Sequence, residues 1–289
     1  MSNILFDSPG PRARRNSYLW SAAALVAISA VLYLGARRLA DNGQFESELW
    51  APLVDPRHED FPAVWRLVRD GFANNLRAAF LAMLFSLTLG TLLAVARVTS
   101  GSRVRWLVVG FVELFRGIPV VIAIFFASRV LPEFGIDLPT LWFLVIGLTA
   151  YNSVVIAEII RAGLNAVPSG QAEAAQAIGL TRGQALRIVL LPQAVRIMLP
   201  ALISQLVVIL KDTALGFIIA FEDLQRNAGF IGQALDNPLQ SYLLAAVIFI
   251  TVNIALSRLA VYLEARLSRG SRRGAARVTE VATDATTGA

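Results

Sequence analysis

The sequence contains no cysteine, one histidine and one lysine. Without cysteine, disulfides and thiolate metal sites are unavailable. With His58 as the sole imidazole, most histidine-based catalysis and metal ligation drop out. The single lysine, Lys211, follows Leu210, so a G-x4-G-K-[ST] phosphate loop cannot be formed and ATP hydrolysis by that route is excluded. Charge is scarce as well. Asp, Glu, Lys and Arg make up 16% of the chain against 56% apolar residues. The apolar residues gather in several long runs, more than a soluble domain carries. The chain reads as an all-α integral membrane protein. Its formal net charge of +6 sits at membrane-flanking positions, which fits the positive-inside rule better than nucleic-acid binding.

Six apolar runs are present, at about 18–34, 72–96, 106–130, 140–160, 193–221 and 241–259. The first follows Arg12, Arg14 and Arg15. It is longer than a signal-peptide core and lacks a clear small-x-small cleavage site, so an uncleaved anchor is expected. The arginines place the N-terminus inside, with Arg37 and Arg38 arguing weakly the other way. Arg97, Arg103 and Arg105 mark the loop after the second run as internal. Arg258, Arg266, Arg269, Arg272, Arg273 and Arg277 do the same for the C-terminus. The expected organisation is a cytoplasmic tail (1–16), an N-terminal transmembrane anchor (17–39), an extracellular segment (40–71), a transmembrane domain (72–267) and a disordered cytoplasmic tail (268–289). Within 40–71, the stretch 61–68 reads as a short surface helix, and His58 as a solvated histidine. Stretches 131–139 and 222–240 read as external loops.

The stretch 161–192 differs from everything around it. It is about thirty residues long, polar and rich in small residues, where loops between packed helices are usually much shorter. Helix formers cluster at 172–178. Gly179 suits a helix stop. Thr181 with Gln184 three residues on forms a capping box for a second short helix. Pro192 suits the first turn of the next long helix. Other polar groups lie in the apolar runs. Gly117 and Pro119 allow a kink in the third, and Glu113 and Arg116 share a face there. Asn152, Ser153, Glu158 and Arg161 fall in the fourth. Pro200 and then Lys211, Asp212 and Thr213 fall in the fifth. Lys and Asp each cost about 2.5–3.5 kcal/mol at a helix centre on the translocon scale. Sequence neighbours do not face each other on a helix, so at least one of the two requires a partner elsewhere. For Asn152 and Ser153 two readings stand side by side: lining a polar path, or bonding helices together.

Glu173-Ala174-Ala175, Gly179, then Val189-x-Leu191-Pro192 resembles the EAA loop of bacterial ABC importer permeases, whose pattern is E-A-A-x3-G-x9-I-x-L-P. Only Val189 departs from it. Glu113 to Pro119 is similar to the E-L-F-R-G-T-P segment of polar amino-acid permeases, with Ile118 in place of Thr. The N-S-x4-E-x2-R spacing of Asn152 to Arg161 and the Lys211-Asp212-Thr213 triplet extend that likeness. It covers about 72–267. The resemblance implies a five-helix type I ABC importer core behind one N-terminal helix, six transmembrane helices in all, with both termini cytoplasmic. It implies that Glu173, Ala174, Ala175, Gly179, Leu191 and Pro192 couple to a separate ATPase. It further implies that Asn152, Ser153, Glu158, Lys211, Asp212 and Thr213 belong to the substrate path. The implied partners are two ABC ATPases, a second permease subunit (identical or paralogous) and an extracytoplasmic solute-binding protein. ATP and Mg would sit on the ATPases, with no cofactor, metal or catalytic residue on this chain.

The substrate implied is a polar amino acid, glutamate first, because the overall look is nearest the glutamate permeases. Lys211 and Arg129 suit a carboxylate, and Asp212 and Glu158 suit an amino group. The competing class is a secondary transporter driven by an ion gradient, with Lys211, Asp212 and Glu158 as relay groups. A membrane-embedded enzyme lacks the nucleophile and base it would need.

Overall fold

The computed structural model describes residues 10–287, and for residues 98, 99 and 263–287 the backbone alone. Every regular element among the described residues is helical. The chain falls into two compact units, divided at Phe61/Pro62.

In the first unit, α1 spans Pro11–Asp41. It starts at a proline in the first turn, where the missing N–H costs nothing. The helix therefore begins inside the stretch expected to be a tail; residues 1–9 lie outside the described residues. None of its residues is buried. The segment after it is not uniformly irregular. It carries α2, Ser47–Val54, and Trp50 donates to the Gln44 carbonyl at 3.1 Å.

The second unit holds α3 (Phe61–Thr99), α4 (Ser102–Gly117), α5 (Val120–Glu133) and α6 (Thr140–Asn165). Short α7 (Ser169–Ala177) and α8 (Arg182–Gln184) follow, then α9 (Leu191–Asp212), α10 (Leu224–Ala234) and α11 (Pro238–Thr287). Five helical segments of the described residues are long and apolar enough to cross a membrane, six when α4 and α5 are taken as one broken span.

α6 is the hub. It packs along both α5 and α9, and α11 packs on α9 and α10. Leu144 and Leu148 of α6 join Ile124 of α5 and Ile209 and Leu210 of α9 in one buried cluster. Ile156, Ala157 and Ile160 form a second cluster with Met198 and Ala94. The contact of α5 with α6 needs a glycine. A Cβ on Gly147 would lie 2.5 Å from the Ile124 Cα, nearer than packed carbons approach.

Several expectations are corrected. The kink at Gly117 and Pro119 is a complete break: α4 and α5 meet at 101°. Ile118 and Pro119 are both extended (ψ 123° and 136°), because a residue before proline is driven out of the helical region. Glu113 and Arg116 form no ion pair among the described residues. The surface helix expected at 61–68 is instead the first two turns of α3, held by the side-chain amide of Asn227, which donates to the Leu67 carbonyl at 2.8 Å. The external stretch 222–240 contains α10, capped by Asp223, whose carboxylate accepts the Arg226 N–H at 2.8 Å. Over 268–287, where a disordered tail is expected, the backbone of α11 continues as helix to Thr287.

Candidate functional site: the coupling segment and the membrane cavity

The stretch 161–192 folds as a helix and a sharp turn leading straight into a span. α7 ends at Ala177, and Gly179 takes φ +85°. That left-handed conformation costs a residue with a Cβ about 1–2 kcal/mol, and it reverses the chain. The Gly179 N–H reaches the Gln176 carbonyl at 2.9 Å, and the Leu180 N–H reaches that of Ala175 at 3.1 Å, satisfying the open helix end. Both halves of the capping box form. The Gln184 N–H donates to Thr181 Oγ1, and the Thr181 N–H donates to Gln184 Oε1 at 2.9 Å. The second helix does not stand apart, however. After α8 a π-helical turn, Ala185–Leu190, continues directly into α9, with Pro192 in its first turn.

Packing decides which face of α7 is free. Ala175 is 3% exposed, set against the π-helical turn. Gln193 of α9 donates to Gln171 of α7 at 3.1 Å and to the Val189 carbonyl at 2.9 Å, so α7 is tied to the root of the span. Glu173 and Ala174 are exposed, and Ile178 beside them is apolar yet 77% exposed. Leu191 and Pro192 are exposed as well. The result is a rigid knob with an apolar and acidic face, attached to α6 on one side and α9 on the other.

The residues read as a path are dispersed by the fold. Asn152 is buried and accepts from the Gln205 side-chain amide at 2.6 Å across the α6–α9 interface, while donating to the Leu148 carbonyl at 2.8 Å. Ser153 is buried and donates to the Ala150 carbonyl at 3.2 Å. Asn152 ties α6 to α9, while the Ser153 bond stays within α6. Glu158 sits between two guanidinium groups. Arg161 reaches Oε2 at 2.7 and 2.9 Å, and Arg97 of α3 donates to Oε1. Glu158 and Arg161, three residues apart on α6, pair with each other, and Arg97, read from sequence only as a membrane flank, completes the cluster.

Thr213 is also fully buried. Its hydroxyl donates to the Leu210 carbonyl at 2.7 Å and accepts from Asn75 of α3 at 2.9 Å. The other end of Asn75 accepts the Leu224 N–H at 3.0 Å, so one amide joins α3, the 3-10 helix Thr213–Ile219 that follows α9, and α10. Nearby, Asp223 has one carboxylate oxygen buried without a partner. Burial lifts its pKa to about 6, against hydrogen bonds from the Arg226 backbone and the Asn75 side chain that pull it down.

Of the six, Lys211 lines a cavity. Asp212, its neighbour, is half-buried and outside that lining. The cavity, about 700 Å³, lies between α9 and α11 and is walled by Lys211, Phe249, Ile250, Asn253, Ile254, Ser257, Arg258 and Val261. Arg129 is elsewhere, on α5, its guanidinium 5.5 Å above the Phe125 ring.

Residues 86–269 match the family described as the binding-protein-dependent transport system inner membrane component. The chain belongs to this family. The glutamate transport system permease protein GluD of Corynebacterium glutamicum is 37% identical over 240 residues, which cover 81% of this chain and 85% of that one. The probable glutamine ABC transporter permease protein GlnP of Bacillus subtilis is 38% identical over 200 residues, 68% of this chain and 92% of that one. Among solved structures, an amino acid ABC transporter crystallised with histidines superposes with a TM-score of 0.68 at 31% identity, covering 71% of this chain and 96% of that one. This binding-protein-dependent inner membrane component is a transport subunit, and the 161–192 knob, the polar seams and the cavity all lie within its matched region or at its edge. Asn253 and Gln205 escaped the sequence reading. A lone amide inside a long apolar run was the available signal.

Proposed function

We propose that the chain is the membrane-spanning permease subunit of an ATP-driven ABC importer of polar amino acids, with glutamate as cargo. The observation that carries the coupling role is the knob at 161–192. Gly179 reverses the chain after α7, on which Glu173 and Ala174 are exposed with Ile178 at its end, and Gln193 ties that helix to the root of α9. In this reading Ile178, apolar and exposed on the same small helical knob as Glu173 and Ala174, is part of the docking face. The names of the relatives, glutamate and glutamine permeases, support the substrate class.

In this reading two such permeases, identical or paralogous, stand side by side. Two ATPases bearing ATP and Mg grip the two knobs from the cytoplasm, and a solute-binding protein delivers cargo from outside. Nucleotide binding draws the ATPases together and moves each knob, and through α6 and α9 the cavity wall, toward outward access. The free energy comes from the difference in ATPase contacts between the two states. Glu158 does not serve as a proton relay here, because two guanidinium groups already occupy its oxygens. That removes one of the three groups an ion-gradient mechanism would use.

The test is Gly179→Asp. The surrounding space is open, so the variant should insert and keep its spans. A side chain at φ +85° shifts the turn and the docking face. Co-purification with the ATPase should fall about tenfold or more, on the order of 1.4 kcal/mol. Unchanged ATPase recovery with this variant removes the coupling role of the segment.

A further inference from the structure

We propose that the groove between the N-terminal end of α3 and α11 holds an anionic phospholipid, with its phosphate on Arg66 and Arg69 and the upper part of its acyl chains on Phe72 and Ile248.

The starting point is a set of arginines on the disfavoured side of the membrane. Arg97, near the C-terminal end of α3, pairs with Glu158 close to the knob. The opposite end of α3 carries Arg66, Arg69 and Arg77. On the coupling reading above, which puts the knob in the cytoplasm, that end faces outward, where the positive-inside rule disfavours basic residues. Little in the protein answers their charge. Asp70 is the one carboxylate over 61–77. It meets Arg69 at 2.9 Å in an exposed pair, which water and salt screen. Arg66 enters no ion pair among the described residues.

Arg66 and Arg69, three residues apart, share a face of α3 and line one cavity of about 680 Å³. Trp65, Val68 and Phe72 belong to the same wall, and Ile248 of α11 stands across from them. None of the described residues lining it is acidic. Arg77 lies outside that lining, its guanidinium 3.4 Å from Asn74. Polarity changes along the groove. Phe72 opens the apolar run of α3, and Ile248 lies seven residues into that of α11, about 10 Å below its start. Arg66 stands six residues before Phe72, about 9 Å along the axis. Two guanidinium groups are thus set at headgroup level above an apolar floor at acyl-chain level. Trp65 sits beside them, at the depth where indole rings settle in a membrane interface. A guanidinium meets a phosphate through a fork of N–H donors, and basic pockets between membrane helices take anionic headgroups in this way. A phosphate ion would use the arginines and leave Phe72 and Ile248 bare. An acidic protein surface would match the charge but would not follow the groove down into hydrocarbon. A phospholipid matches both ends.

The test takes the purified permease–ATPase complex in detergent, stripped of lipid, and adds back phosphatidylglycerol, phosphatidylcholine or inorganic phosphate. Bound lipid is counted by mass spectrometry, and stability is followed by thermal melts. Wild type should bind phosphatidylglycerol about tenfold more tightly than phosphatidylcholine, the value of one charge-assisted hydrogen bond. Phosphatidylglycerol should raise the melting temperature and inorganic phosphate should not. Arg66→Gln combined with Arg69→Gln should erase the preference, with phosphatidylcholine binding held within about twofold. Ile248→Trp, which fills the floor, should weaken phosphatidylglycerol with both arginines intact, and Arg77→Gln should behave as wild type. Equal binding of the two lipids by wild type, or an undiminished preference in the double arginine variant, overturns the site. Stabilisation by inorganic phosphate equal to that by phosphatidylglycerol overturns the lipid and leaves an ion site. A double variant that binds lipid as wild type does, yet loses stimulation of the ATPase by the solute-binding protein, gives the arginines to protein docking and overturns it too.

Discussion

Asp223 shows how one buried carboxyl reports on the packing around it. It caps α10, one oxygen has no partner, and burial raises its pKa from an ordinary 3.8 to about 6. The folded state thus holds the proton more tightly than the unfolded chain does. Stability from this group is fully present below about pH 4 and is lost as pH rises to about 6, a cost on the order of 2–3 kcal/mol at neutral pH. Asparagine caps a helix as well as aspartate without the charge. Asp223→Asn should therefore gain on wild type in thermal melts as pH rises through 4–6, with the gap constant above. A gap that does not change with pH would show that the carboxyl is not strained by burial. At this scale the sequence was legible where a residue acts on its own backbone. Gly179, Thr181 with Gln184, and Pro192 all do so, and all stand where the reading put them. Asn75 and Gln205 act on residues far along the chain, and a lone amide in an apolar run does not say which partner it meets.

At the scale of elements, polar residues at helix contacts act as ties. Glu158 was read as a path residue, yet it fastens α3 to the inner end of α6, seven residues before that helix stops at Asn165 and the knob follows. The network is about a quarter exposed, so it contributes about 1 kcal/mol. Arg97→Gln and Glu158→Gln should each lower the melting temperature and blunt uptake, and the double variant should be little worse than Glu158→Gln alone. Fully additive losses, or a raised substrate KM in Glu158→Gln with Arg97→Gln unaffected, would return Glu158 to the path. Element boundaries were legible from hydropathy for α6; the run expected over 193–221 gives the start of α9 but not its end at Asp212, where a tighter 3-10 helix, Thr213–Ile219, takes over. They were not legible for α10, which is amphipathic and short, nor for the α4–α5 break. Gly117 and Pro119 announce a defect in the helix, while the angle is set by how α5 packs on α6 at Gly147.

For the whole molecule, the family, the helical membrane fold and the helix-and-turn form of 161–192 were readable because they rest on composition and local spacing. The cavity was not, because it is made by two helices separated by the whole of α10 in sequence. The central claim is that this chain moves solute only when a nucleotide-consuming partner works on the knob at 161–192. The most direct measurement is glutamate uptake into proteoliposomes holding the purified permease with and without its ATPase, supplied with ATP or with an imposed proton or sodium gradient. Uptake should require both the ATPase and ATP, and should ignore the gradient. Uptake driven by the gradient through the permease alone would contradict the account.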